Sequence, residues 1–266
     1  MPRSERMARC FAACKQQGRP ALIAYLTAGD PGPGRTVDIA LALERGGADI
    51  LELGVPFSDP VADGPVIQRA SDRALKAGTT LQRVLEIAAD IRARSDMPII
   101  LFSYLNPLLR YGFDKLCADA RRAGIDGCLF TDLSVEEAGD TVETMRAAGL
   151  DTVFLAAPTS TDRRLKLVAE YSTGFVYVVS RTGVTGEQAS VASGVSDLVT
   201  RIRQLTDLPL AVGFGISRRE HVEAVGHYAD GVVVGSAVMR AVEEHGSAPD
   251  LEARVEQFCK ELAGKP

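Results

Sequence analysis

No apolar run in this chain is long enough to span a bilayer, and the N-terminal stretch MPRSERMARCFAACKQQGR lacks the apolar core of an export signal. Membrane-spanning and exported classes are therefore not expected, and a cytoplasmic location is. Histidine is scarce. His221, His227 and His245 sit late and apart, which argues against a histidine-based triad or a metal centre. The five cysteines, Cys10, Cys14, Cys117, Cys128 and Cys259, are odd in number and show no CxxC spacing, so neither a disulfide framework nor a zinc site is implied. Cys10 and Cys14 share a helix face and read as packing. A net charge of −5 with no Lys/Arg stripe argues against a nucleic-acid partner.

What is present is a steady alternation. With 266 residues, 46% hydrophobic and 24% charged, the chain has core enough for one large α/β domain or two ordinary ones. After an amphipathic opening helix, roughly Pro2 to Gln17, short apolar runs begin near Ala21, Ile50, Ile99, Gly127, Thr152, Phe175, Leu210 and Gly231. Each is followed by a loop and a helical pattern, among them Thr36 to Arg45, Val66 to Ala77, Leu81 to Arg94, Phe113 to Ala123, Val135 to Ala148, Asp162 to Tyr171, Ser196 to Leu205 and Arg218 to Val225. A last helix covers about Leu251 to Ala263. Eight such units without a linker predict a (β/α)₈ barrel as a single domain over residues 1–266, with the opening helix as an extra element whose Met7, Phe11 and Cys14 plug the bottom. A doubly wound open sheet fits less well, because no glycine-rich dinucleotide fingerprint follows the first strand.

Two carboxylates stand out in ILELGVPFSDPVADGPVIQRA, residues 50–70. Glu52 interrupts a buried-strand pattern, where desolvation would raise its pKa and suit it to proton transfer near neutral pH. Asp63 lies beyond a Pro- and Gly-rich loop able to fold back over the strand end. Structural alternatives exist for both: Asp63 as a helix N-cap, Glu52 as half of an ion pair with an arginine. In a barrel, residues at strand C-terminal ends and in the loops after them form the active site, and both fall there. VGFGIS (212–217) and Gly235–Ser236, after strands seven and eight, match the usual phosphate cradle of such barrels. The stretch 180–196, rich in Gly, Ser and Thr, reads as a lid hinged at Gly183 and Gly186.

These motifs closely resemble one family, the alpha subunit of tryptophan synthase: LTAGDP (26–31), LELGVPFSDPVADGPVIQ (51–68), SRTGVTG (180–186), GFGIS (213–217) and VGSA (234–237). The resemblance implies retro-aldol cleavage of indole-3-glycerol phosphate to indole and glyceraldehyde 3-phosphate. It places Glu52, Asp63 and Tyr177 at catalytic positions and Tyr25, Phe102, Leu155, Thr185, Gly186, Gly213, Phe214, Gly235 and Ser236 around the substrate. It also implies no metal or cofactor in this subunit, a beta subunit that holds pyridoxal phosphate and receives the indole through a tunnel, and Pro56 and Asp59 as partner contacts. Two positions depart from the family pattern. Ser134 stands where the family has proline, which would loosen a loop, and Tyr25 replaces a common phenylalanine, adding a hydroxyl that needs a partner if buried. Another sugar-phosphate reaction, a stand-alone indole-releasing lyase and a mainly activating subunit are the competing readings.

Overall fold

In the computed structural model the eight strands close into a parallel barrel in sequence order: β1 Ala21–Thr27, β2 Ile50–Gly54, β3 Ile99–Ser103, β4 Gly127–Phe130, β5 Asp151–Ala156, β6 Val176–Val179, β7 Leu210–Gly213 and β8 Gly231–Val234. Residues 4–179, 188–213 and 215–265 are described, 188–193 by backbone alone. The helices are α1 Glu5–Gln16, α2 Thr36–Gly46, α3 Pro65–Lys76, α4 Leu81–Arg92, α5 Leu105–Tyr111, α6 Phe113–Arg122, α7 Gly139–Ala147, α8 Asp162–Tyr171, α9 Gln188–Arg203, α10 Arg219–Gly226, α11 Ser236–His245 and α12 Leu251–Ala263.

Strand alternation divides the core. Inward-facing Ala21, Ile23, Ile50, Ile100, Leu129, Val153, Tyr177, Ala211 and Val233 form one buried cluster with Phe175 and with Met7, Phe11 and Cys14 of α1. The opening helix is thus the plug that the sequence predicts. Ser4 caps it by accepting from the Met7 amide, and the Phe11 ring meets the Phe175 ring at 5.8 Å. Outward-facing residues pack under the helices in two further clusters, one around β1–β4 and β8 and one around β5–β7.

The structure corrects the sequence reading at three places. The segment Leu105–Tyr111, taken as loop, is α5; its Pro107 falls in the first turn, where a missing N–H costs no hydrogen bond. The helix expected over 135–148 is a 3₁₀ turn, Val135–Glu137, followed by α7. The expected lid is helical from Gln188 onward, and its part at 180–187 lies outside the described residues. Ser134 opens the 3₁₀ turn with φ −66°, the angle a proline ring would impose, and its hydroxyl bonds the Glu136 carboxylate. The serine therefore keeps the backbone shape that proline would give.

Candidate active site

Glu52 sits in the middle of β2, opposite Tyr25 of β1 and Ile100 of β3, and is 1% exposed. Among the described residues its Oε1 has no hydrogen-bond partner and no salt bridge reaches Glu52. The arginine-paired alternative is not found among those residues. Burial alone pushes its pKa up to about 8, which favours the protonated carboxyl at neutral pH.

Asp63 hangs above on the loop between β2 and α3. It does not cap the helix: Gly64 is the N-cap, with no side-chain cap. The half-buried carboxylate accepts a hydrogen bond from Tyr104 Oη at 3.1 Å. Burial raises its pKa to about 6 and the Tyr104 bond opposes the rise. Two carboxyl groups at one barrel end are thus held with pKa values apart, one protonated and one ionised at pH 7, the pattern that separates an acid from a charge stabiliser.

Tyr177 of β6 completes the group. It is buried at 8% exposure, and burial, then the charges of Glu52 and Asp63, keep its phenol well above the ordinary range. It remains an O–H donor. Its hydroxyl lies where a Cβ on Gly213 would be, so β7 must carry glycine there; Tyr25 imposes the same on Gly54. The Tyr25 hydroxyl finds its partner in Thr27 Oγ1, which donates to it at 3.2 Å, and its ring meets Phe102 edge-on at 5.1 Å. Leu155 of β5 lies beside Tyr177 in register. These side chains make an apolar wall of the kind that suits a flat aromatic ring.

Gly213 ends β7, and Gly235 and Ser236 start α11, whose first-turn amides open at the same end of the barrel. Phe214, Thr185 and Gly186 lie outside the described residues. Asp59 is exposed and accepts from Ser58 Oγ at 2.6 Å, whereas Pro56 is buried. The residue that sequence reasoning missed is Tyr104, one position past β3. The rule that barrel sites lie just after strand C-termini was the available signal. A cleft of about 420 Å³ lies at the other end, beside α1 and lined by Lys15, Arg19, Asp151 and Arg203, away from these residues.

Residues 11–265 match the family model described as tryptophan synthase alpha chain. The chain belongs to that family. It is 62% identical over 257 residues to the tryptophan synthase alpha chain of Solibacter usitatus, covering 97% of this chain and 96% of the relative. Its fold is similar to tryptophan synthase subunit alpha from Legionella pneumophila (TM-score 0.90, 33% identity, 99% and 98% of the two chains). It is also similar to a chain of the tryptophan synthase α2β2 complex from Pyrococcus furiosus (TM-score 0.86, 42% identity, 92% and 98%). As an alpha chain it is a carbon–carbon lyase of tryptophan biosynthesis that cleaves indole-3-glycerol phosphate to indole and glyceraldehyde 3-phosphate. The absence of tryptophan from the sequence fits a chain that serves tryptophan supply.

Proposed function

We propose that Glu52 is the general acid and base of this cleavage, that Asp63 faces the indole N–H, and that Tyr177 donates a hydrogen bond in the same pocket. The observation that carries the assignment is a buried carboxyl group with one oxygen left unpartnered at the mouth of the barrel, where burial raises its pKa. Glu52 gives its proton to indole C3, and positive charge develops on the ring. Ionised Asp63 stabilises that charge through the ring N–H. The Glu52 carboxylate then takes the proton from the glycerol hydroxyl next to C3, the carbon–carbon bond breaks, and indole and the aldehyde form with no net gain or loss of protons. Tyr25, Phe102 and Leu155 line the ring site. Gly213, Gly235 and Ser236 hold the phosphate end, where backbone amides favour an anion.

A beta subunit is the proposed partner, in an α2β2 assembly to which indole passes and in which that subunit supplies pyridoxal phosphate. Support comes from the Pyrococcus furiosus complex, whose alpha chain this one resembles. Asp59, exposed on the β2–α3 loop, meets a partner without rearrangement; Pro56 is proposed with it. We further read residues 1–266 as one domain working in the cytoplasm without a cofactor of its own, since two carboxyl groups suffice for proton transfers to and from one substrate. The test is indole release by the purified chain with and without a beta subunit. Glu52→Gln should lower turnover by about 10²- to 10⁴-fold while leaving partner binding intact. Turnover at the wild-type rate in that variant rejects the acid/base role.

A further inference from the structure

Asp63 is carried on a loop, yet its job demands a fixed direction. The loop from Val55 to Gly64 has few anchors of its own: the Asp63 amide donates to Pro60 O at 3.0 Å and the Val61 amide to Asp59 O at 2.9 Å, while Val61 is 87% exposed. Two side chains from outside the loop each hold it at two points: Gln68 of α3 grips the backbone, its Nε2 donating to Asp63 O at 2.9 Å and to Pro60 O at 3.4 Å, and Tyr104 reaches the carboxylate itself. Tyr104 Oη accepts the Ala62 amide at 2.9 Å and donates to Asp63 Oδ2 at 3.1 Å, and its ring lies 5.0 Å from that of Phe57. Because the oxygen already accepts from a backbone N–H, its own proton is free to point at the carboxylate.

Tyr104 itself is well fixed. It is 3% exposed and follows β3 directly. The strand end is tied down by the Thr131 amide on Ser103 O at 3.0 Å, and the next residue by the Leu105 amide on Asp132 Oδ1 at 2.7 Å. A rigid strand end thus reaches across to the loop and, where Gln68 holds only backbone carbonyls, fixes the Asp63 side chain.

We propose that Tyr104 is the positioning residue for the alpha reaction, pinning the β2–α3 loop and aiming the Asp63 carboxylate with Oδ1 left for the substrate. This rests on the assignment of Asp63 made above. The groups around Asp63 are Tyr104 after β3 and, through space, Tyr25 of β1 and Tyr177 of β6, both of which also feel Glu52 of β2. No Lys or Arg pairs with Asp63 among the described residues, so Tyr104 supplies the stabilisation of its charge that opposes burial.

The experiment is the pH dependence of indole release by the chain with its beta subunit, for wild type and Tyr104→Phe, which keeps the ring against Phe57. Removing the donor should lower kcat roughly tenfold, leave KM within about twofold and move the acidic limb of kcat/KM up by about half to one pH unit. A packing role alone would leave that limb in place. Unchanged kcat and an unchanged limb in Tyr104→Phe overturn the proposal. Asp63→Asn separates the two levels: if that variant turns over like wild type, Asp63 has no role to position and both assignments fall. If it is impaired while Tyr104→Phe is not, only the positioning role falls.

Discussion

The aspartates at the bottom of the barrel and the pair Glu52 and Asp63 at its top are used in opposite ways, while Asp30, buried after β1 with Arg73 on both oxygens, is paired like the bottom set. At the bottom, Asp126 is fully buried and accepts from Ser4 Oγ (2.7 Å), Arg6 (3.1 Å), Arg92 (2.9 Å) and the Ile99 amide (2.9 Å). Asp49 takes both Arg19 nitrogens and the Leu22 amide, and Asp230 takes Arg203 and the Leu210 amide. In each case an aspartate just before an even-numbered strand accepts an amide at the start of the preceding odd-numbered one. Before β6 a hydroxyl does the same: Thr173 Oγ1 accepts the Thr152 amide at 3.0 Å. At the top, Glu52 is equally buried with an oxygen unpartnered, and Asp63 has one phenol. Full pairing spends a carboxylate on the fold; withheld pairing leaves it for chemistry.

The sharpest way to break this contrast is at Asp126. Asp126→Ala strands the Ile99 amide and takes the buried carboxylate from half-buried Arg6 and Arg92, which keep Asp96 and three backbone carbonyls respectively, and should cost about 3–5 kcal/mol in urea unfolding with activity per folded molecule unchanged. Lost turnover in folded protein would join the two ends functionally and end the distinction. A second effect, of similar size but spread over several pH units, separates them by pH. Glu52 has its folded pKa raised from 4.5 to about 8, so the stability it allows is complete below pH 4.5 and is lost as pH rises through 8, with a slope of at most about 1.4 kcal/mol per pH unit. Measured against Glu52→Gln, wild type should therefore lose stability between those limits; parallel curves would show that the carboxyl is not held neutral. Smallest is Tyr25→Phe, which strands the Thr27 hydroxyl and should cost about 0.5–1.5 kcal/mol of stability with turnover little changed. A large loss of turnover would move Tyr25 from the wall of the pocket into its chemistry.

The barrel was legible because each strand is a short apolar run punctuated by turn residues, and because α1 shows its plugging face as Met7, Phe11 and Cys14 at helical spacing. Glu52 was legible for the opposite reason, as a charge where the pattern calls for an apolar side chain. What stayed hidden depends on distance in sequence. Tyr104 and Asp63 are 41 residues apart, and nothing local in SYLNP announces the bond. Likewise, the glycine at 213 reads as a phosphate-loop residue, whereas the structure adds a steric demand made by Tyr177 from the neighbouring strand. α5 was missed because Pro107 looks like a stop and is in fact within a first turn.

The helix seated under β1 to β8 makes the barrel a vessel with one opening. Whatever reaches Glu52 must leave by the rim through which it came, and the loop that carries Asp63 stands on that rim. Substrate entry and the escape of both products therefore share a doorway, above a floor closed by Met7, Phe11 and Cys14.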